Sequence, residues 1–278
     1  MNRLLLSDAL RRFLAEDAPA GDLTSEAIFN DEQTGTASFI ARGSFCCAGL
    51  GRVAGEVFSL CNPAIAWTAA ADGILTKPGD VIFTARGPVL DLLQAERVAL
   101  NLTQRLCGIA TLTRAFVNEI APLPVKIVDT RKTTPGLRLL EKYAVRVGGG
   151  HNHRFSLSDG ILIKDNHIAA CGSITRAVER VREKIAHTMK IEVETETLGQ
   201  VEECLTAGVD IIMLDNMAPE LMRQAVLLVN GRALVEASGG VTLDNVRAVA
   251  EVGVNLISIG ALTHSAPACD ISMEMIAG

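Results

Sequence analysis

From Val125 onward, apolar residues come in six short runs, each closed by polar or small residues: VKIVD (125–129), GILIKD (160–165), KIEVET (190–195), DIIMLDN (210–216), ALVEASGG (233–240) and LISIGA (256–261). Stretches with helical spacing of apolar positions separate most of them, over 174–185, 200–207, 219–229 and 243–252. A TTPG turn at 133–136 leads into a further helix over 137–145. The later runs begin about every 20 to 25 residues. Such alternation predicts parallel strands joined by right-handed crossovers. Strands that are apolar throughout predict a sheet buried on both faces. A complete eight-unit barrel takes about 250 residues, and only about 140 are available here. An incomplete barrel is therefore expected, with an open doubly wound sheet as the alternative. No G-x-G-x-x-G follows any of these strands, which argues against a dinucleotide fold.

The first part of the chain has a different rhythm. Residues 4–15 predict a helix, with Leu4, Leu5, Ala9, Leu10, Phe13 and Leu14 on one face and Ser7 and Asp8 on the other. DAPAGDLT (17–24) reads as a loop. TASFIAR (36–42) is a β-rich run, and Val57–Leu60 belong to a helix. The turn signals at Asp72-Gly73 and Pro78-Gly79-Asp80 flank two expected strands, 74–76 and 81–85. Pro88 opens a long helix that Gly108 is expected to break or kink. Arg97 and Asn101 share a face of that helix, and spacing alone makes Arg97 a solvated helix arginine.

Composition narrows the function classes. The formal charge of -6 and the single Trp and Tyr argue against nucleic-acid binding. No apolar run approaches the roughly 20 residues of a membrane span. Met1–Leu14 is amphipathic, carries Arg11 and Arg12, and does not read as a secretory leader. Seven cysteines without C-x-x-C spacing read as reduced thiols, which places the protein in the cytoplasm.

Charge is concentrated in one place. Between Asp129 and His167 lie seven Lys or Arg and four acids, a local +3 in an acidic chain, with three of the five histidines. A cationic island of this kind suits a small anionic ligand. In parallel α/β folds ligands sit at the C-terminal ends of the strands. That rule selects Asp129–Lys132, Lys164–His167, Glu194, Asp215–Asn216, Ser238–Gly240 and Gly260–Ala261. Any one of these can be a simple helix cap, but all six ends agree chemically. Arg131, His153, Arg154 and Lys164 can surround a ligand with more than one carboxylate. Glu194 and Asp215 end neighbouring strands and can share a hard cation. Glu192 lies on the same strand face as Glu194, which is nearer the strand end. Ser238-Gly239-Gly240 resembles a phosphate-cradling turn. A zinc site at His151, His153 and His167 is disfavoured by the crowding cations Lys132, Arg154 and Lys164.

The longer motifs carry a resemblance: GDLT (21–24), AERVALNL (95–102), GIAT (108–111), DTRKTTPGLRLLEKYAV (129–145), GGGHNHR (148–154), LIKDNHI (162–168), EVE (192–194), LDN (214–216), EASGG (236–240) and SIGALTHS (258–265). In this order they span essentially the whole chain, which resembles the quinolinate phosphoribosyltransferases, type II phosphoribosyltransferases. A molybdate-operon relative shares the fold and the TRK-x-x-PG core but looks less similar. The resemblance implies an N-terminal α/β sandwich over residues 1–107, joined by the tail 266–278, and an incomplete, open α/β barrel over 108–265. It implies transfer of phosphoribosyl from phosphoribosyl pyrophosphate to quinolinate with loss of CO2, and a homodimer with shared active sites. Arg97 then enters the partner's site, against the reading from spacing.

By motif, Arg97, Arg131, His153, Arg154 and Lys164 hold the two quinolinate carboxylates. Lys132, Glu194 and Asp215, beside Thr130, handle ribose and diphosphate with Mg2+, which Glu194 and Asp215 meet directly or through the diphosphate. Backbone around Ser238, Gly239, Gly240, Ile259, Gly260 and Ala261 holds the 5-phosphate. The competing expectations are a phosphoribosyltransferase for another planar acid and a non-catalytic ligand-binding subunit.

Overall fold

The structure, a computed structural model, describes every residue except Asp31 and Gly278. Gly278, the last residue of the expected tail, therefore lies outside the described residues. The chain forms two compact units. The first comprises Met1–Arg114, Thr134–Gly149 and the chain from Thr263 on; the second comprises Ala115–Thr133 and Gly150–Leu262.

The first unit opens with α1 (Arg3–Asp17), capped by the Asn2 side chain, and α2 (Leu23–Ile28), capped by Asp22. Its antiparallel sheet combines β1 (Thr34–Ala41), β2 (Ala66–Ala69), β3 (Val81–Pro88) and β10 (Ile271–Ala277) in the order β10-β1-β3-β2. The residues of β1 alternate between buried and more accessible, the period-2 signature of a half-buried strand. Against the sheet packs α3 (Gly55–Cys61), whose Phe58 meets Phe39 and Phe83 with ring centroids 5.0–6.0 Å apart.

Several expectations are corrected here. The buried residues of α1 are Leu6 and Leu10, while Leu4 and Leu5 are exposed. The apolar stripe thus follows an i, i+4 step two residues further along. Residues 74–76 form no strand beyond an isolated bridge between Cys46 and Leu75. Instead the short β2, which carries little pattern, pairs with β3. The helix α4 (Val89–Ile120) runs unbroken through Gly108. The glycine serves packing instead: a Cβ there would lie 1.9 Å from the Pro267 carbonyl oxygen. In α5 (Arg138–Val147) Lys142, which the pattern places on a solvated face with Arg138 and Arg146, is fully buried. Arg146 is exposed and Arg138 is half-buried.

The second unit is built on the six predicted strands: β4 (Lys126–Val128), β5 (Ile161–Ile163), β6 (Ile191–Thr195), β7 (Ile211–Asp215), β8 (Leu234–Ser238) and β9 (Leu256–Ser258). All pair in parallel, in the order β4-β9-β8-β7-β6-β5. The sheet stays open between β4 and β5, where His151 bridges to Val128. This is the expected incomplete barrel.

Crossovers are provided by α7 (Ile174–Arg182), α8 (Leu198–Ala207), α9 (Pro219–Val229) and α10 (Val246–Ala250). Their starts follow simple chemistry. Ser173 caps α7, Thr197 and Gln200 form a capping box on α8, and Pro219 occupies the first turn of α9. One helix had no apolar periodicity to reveal it: α6 (Asp165–Cys171) has no buried residue. His167 helps to start it, its Nδ1 accepting from the Lys164 amide at 2.9 Å. That histidine is thus a helix cap.

Candidate active site

Alternation along the strands sends every second side chain into the bore of the open barrel. Glu192 and Glu194 of β6, Met213 and Asp215 of β7, and Glu236 and Ser238 of β8 fall on that face. The polar residues at the strand ends surround a cavity of about 520 Å3. Of the residues selected from the sequence, Thr130, Arg131, Lys132, His153, Arg154, Lys164, Glu194, Asp215, Ser238, Gly239 and Gly240 all line it.

Four residues given a substrate role by motif do not, and the strand-end residues Asp129, Asp165, Asn166 and His167 also lie outside the lining. Ile259 is buried, and Gly260 and Ala261 are half-buried outside the lining. Arg97 lies on α4 in the first unit, with 57% of its side chain exposed and Glu96 at 3.7 Å. Ser258, Asn216, Leu162, Met213 and Glu236 complete the lining. Of these, Glu236 was overlooked although a signal existed: an acid in the middle of an apolar strand.

Backbone and acids both hold the cationic side. Asp129, fully buried, accepts from the His153 amide at 2.9 Å and from Asn152 Nδ2 at 2.6 Å. It thereby fixes the segment that fills the gap beside β4. Arg154 donates to the Gly160 carbonyl at 2.9 Å. Its burial and then the Arg131 guanidinium push its pKa down from the usual value. Two guanidiniums lining one cavity suit an anion with two carboxylates. Lys164 forms an ion pair with Glu194, which ties the cationic side to the acidic side. On that acidic side Asn216 Nδ2 donates to Asp215 at 2.7 Å.

The glycine turn is shaped for backbone contact. Gly239 has φ of +92°, and a Cβ there would lie 2.1 Å from Asn216 Oδ1. Gly240 has φ of +62° with nothing within 4 Å of a built Cβ, so open space lies over its backbone. Left-handed successive residues of this kind turn N–H groups toward an anion.

Beneath the cations lies a buried acidic pair. His153 Nε2 is 2.9 Å from Glu192 Oε2 and 3.9 Å from Glu236 Oε1. Both glutamates are almost fully buried, at 4% and 1% exposure. The cysteines take no part. Burial, mainly, raises Cys47 and Cys204 to about 12, so these thiols stay protonated.

A parallel sheet that gathers cations, carboxylates and a glycine turn at one end defines an enzyme class that handles small, multiply anionic substrates through positioning and charge. Comparison with known proteins specifies the class further. Residues 22–107 match the N-terminal domain of quinolinate phosphoribosyl transferase and residues 109–274 match its C-terminal domain. The chain belongs to this family. It is 49% identical over 276 residues to a probable carboxylating nicotinate-nucleotide pyrophosphorylase of Bacillus subtilis, covering 99% of this chain and 95% of the relative. It is 39% identical to a decarboxylating quinolinate phosphoribosyltransferase of Nicotiana tabacum, covering 97% of this chain and 82% of that one. The crystal structure of NadC from Streptococcus pyogenes superposes with a TM-score of 0.96 at 41% identity, covering 100% of this chain and 99% of that one.

Proposed function

We propose that this chain transfers the phosphoribosyl group of phosphoribosyl pyrophosphate to quinolinate with loss of CO2, giving nicotinate mononucleotide and diphosphate for de novo NAD synthesis. The observation that carries this reading is the gathering of Arg131, His153, Arg154 and Lys164 around one cavity. A planar dicarboxylate answers that concentration of positive charge. Arg131, His153, Arg154 and Lys164 hold its carboxylates. Lys132, Glu194 and Asp215, with Thr130, orient the ribose and diphosphate. The backbone at Ser238, Gly239 and Gly240 takes the 5-phosphate, with Ile259, Gly260 and Ala261 supporting that end.

The pyridine nitrogen attacks C1 of the ribose as diphosphate departs. Glu194 and Asp215 place negative charge where an oxocarbenium-like state develops. Once the nitrogen is quaternary, the ring cation stabilises the electron pair left at C2, and the neighbouring carboxylate leaves as CO2. The oxygens of Glu194 and Asp215 also fit a hard cation, and these two residues would hold Mg2+ together with the diphosphate. The ion supplies neutralisation of the leaving group's charge.

Arg97 completes the site from a second copy of the chain in a homodimer; its exposure in the monomer supports this. Seven free thiols support a cytoplasmic location. Among the described residues no helix is long and apolar enough to cross a membrane.

The direct test is incubation with quinolinate, phosphoribosyl pyrophosphate and Mg2+, with nicotinate mononucleotide and CO2 as the expected products. Turnover of nicotinate without CO2 release would assign a different planar acid. The dimer is tested by mixing Arg97→Ala with Arg131→Ala subunits. Mixed dimers should regain activity that neither parent has, and inactive mixed dimers would remove Arg97 from the site.

A further inference from the structure

The cavity floor holds an acid that none of these roles uses. Glu236 projects from the middle of β8 into the bore, 1% exposed, and its Oε1 accepts no hydrogen bond. Glu192 approaches it from β6, His153 from the segment before β5, and the Ser258 hydroxyl from β9. Arg131, Lys132, Arg154, Lys164, Glu194 and Asp215 are the other charged groups lining the cavity. The trio His153, Glu192 and Glu236 has the composition of a cation site, but its proton arrangement does not suit one. His153 Nδ1 accepts the Arg154 amide at 2.8 Å, so Nε2 carries the proton and directs it to Glu192.

Burial first, and then the charge of Glu192, push the Glu236 carboxyl up to about 7; His153 and the Ser258 hydroxyl act in the opposite direction. Glu236 also borders a second cavity of about 350 Å3 that reaches the strand starts at Lys126, Lys190 and Leu256. Glu236 thus lines both cavities, together with His153 and Arg154.

We propose that Glu236 is the acid that delivers a proton to pyridine carbon C2 after CO2 departs. This rests on the quinolinate reading above. The bond between C2 and the carboxylate carbon breaks, and its electron pair stays on C2 beside the cationic nitrogen. That pair takes the proton of Glu236, a C2–H bond forms, and Glu236 is left as a carboxylate. A proton taken from bulk solvent through the second cavity then restores the carboxyl, so the net step consumes one solvent proton. Until C2 is protonated, CO2 can recombine with the carbanion, so a positioned acid commits the step.

The test uses the full chain with quinolinate, phosphoribosyl pyrophosphate and Mg2+, following diphosphate and CO2 in one rapid-quench reaction. Wild type should release them one to one. In Glu236→Gln, CO2 release should lag diphosphate release by about 100-fold, and the ribonucleotide that keeps both carboxylates should accumulate. Glu236→Asp should restore part of the coupling. In mixed H2O and D2O, the deuterium content at C2 of the product should change between wild type and Glu236→Gln, because the donor sets that ratio. Equal loss of both products with unchanged C2 deuterium would mean a structural role and overturn the proposal. Unaltered kinetics would overturn it too. If wild type releases neither product, the quinolinate reading itself fails, which is a separate outcome.

Discussion

Each unit buries a glutamate completely, and the two are treated in opposite ways. In the first unit Glu141 accepts from Arg105 Nε at 2.7 Å and from the Thr134 amide at 3.1 Å. Arg105 itself also donates to Thr134 Oγ1 and the Thr263 carbonyl, both at 2.8 Å. Every charge in that group is answered. In the second unit Glu236 faces another glutamate and leaves an oxygen without a hydrogen bond, at a cavity that Arg131 and Arg154 also line. The first arrangement secures the fold. The second keeps a carboxyl raised by burial at a cavity wall, a pattern that clusters at functional sites.

The contrast can be broken by mutation. The largest effect is expected for Arg105→Ala, which strands Glu141 as a buried charge. Unfolding in urea should show a loss of about 3–5 kcal/mol. Next comes Arg131→Ala, which removes one of the two guanidiniums lining the cavity. It should lower kcat/KM for quinolinate by about 2–5 kcal/mol in transition-state terms, with unfolding midpoints close to wild type. A stable but fully active Arg131→Ala protein would remove this residue from the carboxylate grip.

Glu236→Gln sharpens the comparison through pH. A carboxyl whose folded pKa is raised from 4.5 to about 7 contributes stability below pH 4.5 that is lost as pH rises through 7. The glutamine variant should therefore match wild type near pH 4.5. It should exceed wild type above pH 7 by on the order of 3 kcal/mol. Parallel stability curves for the two proteins would contradict the raised pKa. The smallest effect belongs to Arg146→Ala on the exposed face of α5, expected within about 0.5 kcal/mol and without kinetic consequence.

Much of this was legible in the sequence because the second unit is periodic. Six apolar runs ending in polar residues fix six strands, and the strand-end rule then gathers most of the cavity lining. What escaped lacked such a signal. Helix α6 starts beside the site with no apolar face, so only its His167 cap marks it. Lys142 looks like a surface charge in sequence, and its burial depends on packing that no local spacing encodes. Gly108 reads as a helix breaker because propensity says nothing about the passing tail at Pro267. Glu192 and Glu236 are different. Their position inside apolar strands is visible in the sequence, but the strand-end rule prefers Glu194 to Glu192 and leaves Glu236 out. The place of Arg97 rests on family resemblance, since an exposed helical arginine has no local feature that separates it from others.

The gap between β4 and β5 has a mechanical meaning as well. Each of these strands keeps one edge outside the ladder, and His151 pairs with the open edge of β4 at Val128. Arg131 follows one of these strands and Lys164 the other. A molecule gripped by both acts as a rivet across the seam and does the work that missing backbone pairing leaves undone. Affinity and stiffness then become the same quantity. Amide exchange along β4 and β5 measures how firmly the rivet holds.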